Sequence, residues 1–381
     1  MPLPASTPHR TSLGATRRVI LGVDLTAAGA GSAGHRARGA VGPRPFDGQR
    51  FVGLVRTADR ALLDLVALDE GFVLHPGRPR AAGRLDAAVA AARAVPHTRS
   101  IGLVAAVDPF ALDAAHVAAA VARIDRASAG RAGWQVAAPS ATAEPDEAWA
   151  ARAEPAVVAV ARAWGGESVA AGDAAAGGGG VPPQCRPPVV VRVRSEACTV
   201  LAGRVADVAR VAAADAAQAA QLRTAVRAAA VAAARAPDAV RVVVDAVVVL
   251  SSDRESAQAR LELVEAEGSG ATGALMVAGT PGRLATVIAD WHAAGAADGF
   301  VLRPSALGPD LDAIAHHLVP ELQRAGLFRT GRSAGTLRES LGLRGAPRAR
   351  AGADGEGRPR RATTIPRPPL ERRAPDQLVD A

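Results

Sequence analysis

Two acidic side chains stand side by side at Asp69-Glu70, a serine sits inside Arg194-Ser195-Glu196, and histidines fall at His75, His116 and His316-His317. Paired carboxylates can act as general acid and base. Neighbours leaving a strand point in opposite directions, however, so Asp69 and Glu70 serve equally well as loop caps. A serine ahead of a helix, backed by free N–H groups, suits a phosphate; it suits an ordinary N-cap as well. His75 lies in a loop that can reach a cavity. His116 reads as a helix histidine, and His316 and His317 as solvated. No His-x-x-x-His with a carboxylate occurs, which argues against a metal. The P-loop and the dinucleotide glycine pattern are both missing, and the run 177–180 lacks the lysine and the helix start that a P-loop needs. No residue is singled out as a catalytic nucleophile, acid or base.

These side chains need a frame. Apolar, β-branched runs predict buried strands over 19–25, 64–68, 101–107, 132–138, 189–193, 205–211, 241–250 and 299–302. Helical periodicity lies between most of them: 49–62, 84–94, 149–164, 213–236, 253–265 with Ser252 as a cap, 281–294 and 310–325. Residues 100–140 hold strand, helix and strand together, a βαβ unit. Eight alternating units in about 330 residues predict an α/β fold of the closed (β/α)8 TIM-barrel kind. Ligands bind such barrels at the carboxyl ends of the strands. That places Asp24, Asp69, Glu70, Ala106 to Asp108, Gln135 to Ser140, and Arg194-Ser195 where chemistry can happen. Residues 1–17 read as a flexible N-terminus, 18–343 as the barrel, and 344–381 as a disordered Arg/Pro-rich tail. Residues 165–183 read as a flexible, glycine-rich loop.

Composition narrows the function. The chain has 381 residues, 49% of them hydrophobic but only 3% aromatic, with no Tyr, so the core is built from Ala, Val and Leu. All 45 basic residues are Arg. Residues 344–381 carry nine Arg against five acids, half of the formal net charge of +8. That segment has no aromatic residue to stack on a base, so it reads as a solvated tail rather than a nucleic-acid surface. Two cysteines make no disulfide framework and fit a reduced, cytoplasmic setting. No signal peptide and no membrane span is expected.

Two blocks of residues carry a family resemblance. The first is Ile101-Gly102-Leu103-Val104, His116, Asp125, Ser128 and Gly130-Arg131-Ala132-Gly133-Trp134. The second is Gly279-Thr280-Pro281, Asp290-Trp291, Asp298-Gly299-Phe300, Pro320-Glu321-Leu322-Gln323, Gly326-Leu327-Phe328-Arg329 and Thr336-Leu337-Arg338 to Leu341-Gly342-Leu343. In this order they resemble the bacterial luciferase-like flavin-dependent monooxygenases, in the nitrilotriacetate and dibenzothiophene-sulfone branch. The resemblance implies reduced FMN from a partner flavin reductase, dioxygen, a small organic substrate and a homodimer. It implies cofactor contacts at Asp69, Ala106, Gln135 and Ser195. The chain departs from the family pattern at several of these places. Ala106 replaces a threonine, Gln135 an asparagine, Ala137 and Ala138 a Thr-Ser pair, Cys198 a glycine and Arg332 a tyrosine. A deazaflavin-dependent oxidoreductase and a non-catalytic paralogue with weakened flavin binding are the alternatives.

Overall fold

The computed structural model describes residues 18–26, 48–69, 86–110, 113–139, 144–165, 181–266, 273–332 and 335–344. Along the chain run β1 (Ile20–Asp24), α1 (Gly48–Arg60), β2 (Leu65–Leu68), α2 (Ala87–Ala94), β3 (Gly102–Val107), α3 (Ala114–Ala127), β4 (Ala132–Val136), α4 (Asp146–Trp164), β5 (Val189–Val193), α5 (Glu196–Val205), β6 (Val208–Val211), α6 (Ala216–Ala232) and β7 (Arg241–Leu250). There follow α7 (Arg254–Ala266), β8 (Leu275–Gly279), α8 (Pro281–Ala293), β9 (Gly299–Pro304), α9 (Leu307–Ala313), a π-helical stretch Ile314–Leu318, α10 (Val319–Arg324) and α11 (Leu337–Ser340).

All the strand pairings are parallel. Strands β1 to β7 and β9 close into a ring of eight, because β6 pairs β7, β7 pairs β9 and β9 pairs β1. This is the expected TIM barrel, made of the eight predicted strands. The structure adds β8, which periodicity missed because Leu275–Gly279 is short and runs straight into the helix opened by Pro281. The β7 strand is long enough to take two neighbours on one flank. Its first half pairs β6 through Arg241 to Val244, and its second half pairs β8 through Ala246 to Leu250.

Helix boundaries mostly follow their caps. Asp86 and Asp113 accept from the third N–H of α2 and α3. Asp253, not Ser252, caps α7: its carboxylate accepts from Ser256 N at 2.8 Å. The predicted 213–236 helix starts later, because Asp215 caps α6 through Gln218 N. Val205 closes α5 rather than opening β6. The predicted last helix is one continuous run, and the wide turn precedes Pro320, whose missing N–H removes a ladder bond.

The lower half of the lumen, toward the amino ends of the strands, is apolar. Leu65, Val104, Val190, Val208, Val243 and Val301 form one buried cluster with Leu337, Leu341 and Leu343. Thus α11 plugs that end. Gly102 belongs to this contact, since a Cβ there would collide with Leu337. The plug is held by polar bonds as well. Arg338 pairs Asp207 at 2.9 Å, and Arg241 donates to the carbonyls of Leu341 and Gly342. Beside it, burial pushes the Asp64 carboxyl up to about 6, against the pull of Arg329 at 3.4 Å, the Leu21 N–H and Arg18.

Two outcomes follow from this end of the barrel. Leu337→Ala should lower the unfolding free energy by about 2–5 kcal/mol, by transfer loss plus cavity, measured by urea denaturation. Because the folded Asp64 holds its proton more tightly than the unfolded chain, its contribution to stability is present below about pH 4. It is lost as pH rises through about 6. Asp64→Asn should therefore flatten the fall in melting temperature between pH 4 and 6.5; an unchanged slope would remove Asp64 as its source.

Candidate active site

The upper half of the lumen is charged. From its middle, Arg210 on β6 reaches three strands at once. Its Nη2 donates to Asp24 Oδ2 on β1 at 2.7 Å, its Nε to Asp245 Oδ1 on β7 at 2.9 Å, and its Nη1 to Gln135 Oε1 on β4 at 2.9 Å. The other end of the Gln135 amide donates to Asp69 Oδ2 at 3.1 Å. Arg192 on β5 closes the circuit, 3.2 Å from Asp69 and 3.6 Å from Asp245. Arg303 on β9 stands beside Asp24, half-buried, with no hydrogen bond or ion pair among the described residues. Three guanidiniums and three carboxylates thus form a balanced floor across the carboxyl mouth.

Burial sets the electrostatics, and partners overrule it. Burial alone would raise the Asp24 carboxyl. The Arg210 and Arg303 guanidiniums and a bond from Thr26 hold it far below the usual range. Burial likewise works against the charge on Arg210, yet Asp245 and Asp24 raise its pKa. The pair Asp24 and Arg210 is therefore held in its charged form. Its upper surface remains open to solvent: the side chain of Arg192 is 37% exposed and that of Asp69 22%.

The strand register brings three of the four expected contacts together. Leu68 pairs Ala105 and Ala106 pairs Gln135, so Asp69, Ala106 and Gln135 lie at one level of the mouth. Ala106 is fully buried and adds no polar atom. Gln135 is also buried, both ends of its amide engaged within the floor. Ser195 stands apart at the start of α5, where its Oγ accepts from Cys198 N at 3.3 Å, the N-cap geometry. Next to it, Arg194 binds Pro139 O and Asp146. His116 is exposed and paired with Asp113, which places it on the helix surface rather than in the mouth. Glu70, His75, the predicted N-terminus 1–17, residues 166–180 of the predicted loop 165–183 and all of the predicted tail 344–381 beyond Arg344 lie outside the described residues. Arg332 reaches Asp59, whose carboxylate collects the N–H groups of Arg99, Ser100 and Ile101 at the amino end of β3, far from the mouth.

Arg192, Arg210, Asp245 and Arg303 were missed as site residues. Their signal was present, since each interrupts an otherwise apolar strand. A charge in a strand buried on both faces must find a counter-charge inside. Among the described residues no group of three or more His, Cys, Asp or Glu could hold a metal, and no helix is long and apolar enough to cross a membrane.

A closed parallel barrel with polar groups converging at its carboxyl mouth defines an enzyme-type site. Residues 26–298 match the luciferase-like monooxygenase model, and the chain belongs to that family. Over 75 residues it is 43% identical to nitrilotriacetate monooxygenase component A of Aminobacter aminovorans, a stretch covering 20% of this chain and 17% of that relative. The chain thus matches under a fifth of this curated relative's length. Its fold matches EDTA monooxygenase from Chelativorans sp. BNC1, with a TM-score of 0.74 and 20% identity over 86% of this chain and 99% of that one. It also matches a riboflavin lyase solved with modified FMN and riboflavin, with a TM-score of 0.71 and 20% identity over 86% and 96%.

Arg210→Met would leave Asp24 and Asp245 buried without their main partner. It should lower stability by about 3–5 kcal/mol in denaturant titrations. Adding Asp24→Asn and Asp245→Asn should recover most of that loss. Equal stability of Arg210→Met and the parent would show that the network contributes nothing.

Proposed function

We propose that the chain is a flavin-dependent monooxygenase that takes reduced FMN from a separate flavin reductase and uses dioxygen to oxidise a small organic substrate. The observation that carries this reading is the charged floor at the carboxyl mouth, walled by small side chains, in a chain of this family. Arg192 and Arg303 are half-exposed cations there, and a cation beside a flavin ring favours its anionic reduced form. Ala106 and Ala137 leave room for a flat ring against the wall. The N–H groups opening α5, with Ser195, would receive the phosphate. These residues fit the cofactor in charge and shape.

When bound, reduced FMN supplies the activation of dioxygen. The chain's own part is to bind and to shelter. Gln135, its amide fixed by Arg210 and Asp69, holds the floor rigid. Arg192 and Arg303 supply fixed positive charge, and the barrel wall excludes water from below. We place the protein in the cytoplasm because its two cysteines are unpaired, and as a homodimer on the strength of the family resemblance.

A second reading, a barrel that has lost most flavin affinity, is favoured by one feature. The polar groups that remain at the expected contacts, Gln135 and the Ser195 hydroxyl, are already engaged within the protein, and Ala106 offers no donor. Anaerobic titration with reduced FMN and, in parallel, with a reduced deazaflavin coenzyme separates the cases. Binding of FMN tighter than millimolar supports the proposal, tighter binding of the deazaflavin transfers it to that coenzyme, and millimolar or weaker binding of both leaves the second reading. Ser195→Asp should weaken FMN at least tenfold by like-charge repulsion at the helix start; unchanged affinity would take Ser195 out of the site.

A further inference from the structure

A cavity of about 400 Å³ opens at the other end of the barrel, beside the α11 plug. That volume falls within the range of small-molecule sites. Arg18, Arg241, Arg329 and Arg332 line it, with Asp64, Asp298 and Glu339. Behind these walls Arg223 and Arg227 bind Asp298, and Asp59 binds Arg332. Counting these ten groups as ionised, six cations face four anions, an excess of two positive charges.

Arg241 is the telling member. Its side chain belongs to a residue only 6% exposed, yet it has no carboxylate within ion-pair distance among the described residues. Its Nε and one terminal nitrogen are spent on two backbone carbonyls of the plug, and its Nη1 finds no acceptor. A buried guanidinium left without a counter-charge is costly, and proteins rarely keep one unless something anionic meets it. Arg18 stands exposed at the same opening, hydrogen-bonded to nothing among the described residues. Val19 and Phe328 supply an apolar side.

We propose that this amino-end cavity binds a small, multiply charged oxyanion, a phosphate ester or a polycarboxylate, through Arg18, Arg241 and Arg332. The planar fork of arginine matches both groups bidentately, and Val19 and Phe328 would accept the carbon skeleton. Such a site is separate from the carboxyl mouth and independent of whether flavin binds there. Occupancy would tie β1, β7 and the α11 segment together, which makes it a stabilising or regulatory site rather than a catalytic one.

Calorimetric titration of the full chain in phosphate-free, low-salt buffer tests this, with pyrophosphate and citrate as separate probes. Binding of at least one probe with a dissociation constant below about 1 mM is expected, and the preferred probe names the class. Arg18→Glu, at an exposed position that leaves the fold alone, should weaken it at least tenfold. Arg241→Gln should do the same, with its melting temperature measured to confirm folding. Ser195→Asp should leave it unchanged. No heat with either probe, binding indifferent to Arg18→Glu, or binding weakened by Ser195→Asp would each overturn the assignment.

Discussion

One guanidinium holds the centre of this barrel. Arg210 spans from β6 to β1, β4 and β7, of which only β7 is its neighbour in the chain, and does so from a position 2% exposed. A buried ion pair contributes little net stability against a well-packed apolar alternative. Its contribution is direction. Each contact fixes a strand's height and facing, so a slip of one residue in β1 or β7 would turn Asp24 or Asp245 out of the lumen and strand the charge. The floor therefore reports on register as well as offering a polar surface to whatever enters.

The two halves of the lumen obey different rules. Below, valines and the plug leucines Leu337, Leu341 and Leu343 exclude water and polar groups alike. Above, the same inward positions carry three arginines, three carboxylates and an amide, all satisfied by one another except Arg303, which only neighbours Asp24. Because every cation in the chain is an arginine, none of these groups can shed its proton to escape burial. A lysine in place of Arg210 could neutralise; arginine keeps its charge and holds the Asp24 carboxyl ionised beside it.

Much of the frame was legible in the sequence. The eight ring strands announced themselves as apolar runs because parallel strands are buried on both faces, and the βαβ unit over residues 100–140 appeared in full. The strand β8 hid because the five residues of Leu275–Gly279 carry no period that distinguishes strand from helix start. The site was less visible. Asp69, Ala106 and Gln135 could be placed at the mouth by counting to strand ends, but partners such as Arg192 and Asp245 are joined through closure of the ring, over tens to more than a hundred residues. Only closure reveals that Gln135 is committed to its neighbours on both sides. Ser195 shows the limit of local pattern, since an N-cap and a phosphate seat share one signature, and the bond from Cys198 N to its hydroxyl establishes the cap alone.

The stagger of β6 and β8 along one flank of β7 has a mechanical corollary. These two strands abut end to end without bonding each other, so the staves of the barrel are continuous everywhere except at this butt joint, one residue above Arg210. Among the described strands β8 joins the sheet through its five-residue ladder to β7 alone, while α8 anchors it from outside through Trp291 on Phe300 and the fully buried Leu284 and Ile288. At this joint, therefore, the packing of an outer helix does the holding that backbone pairing does elsewhere around the ring.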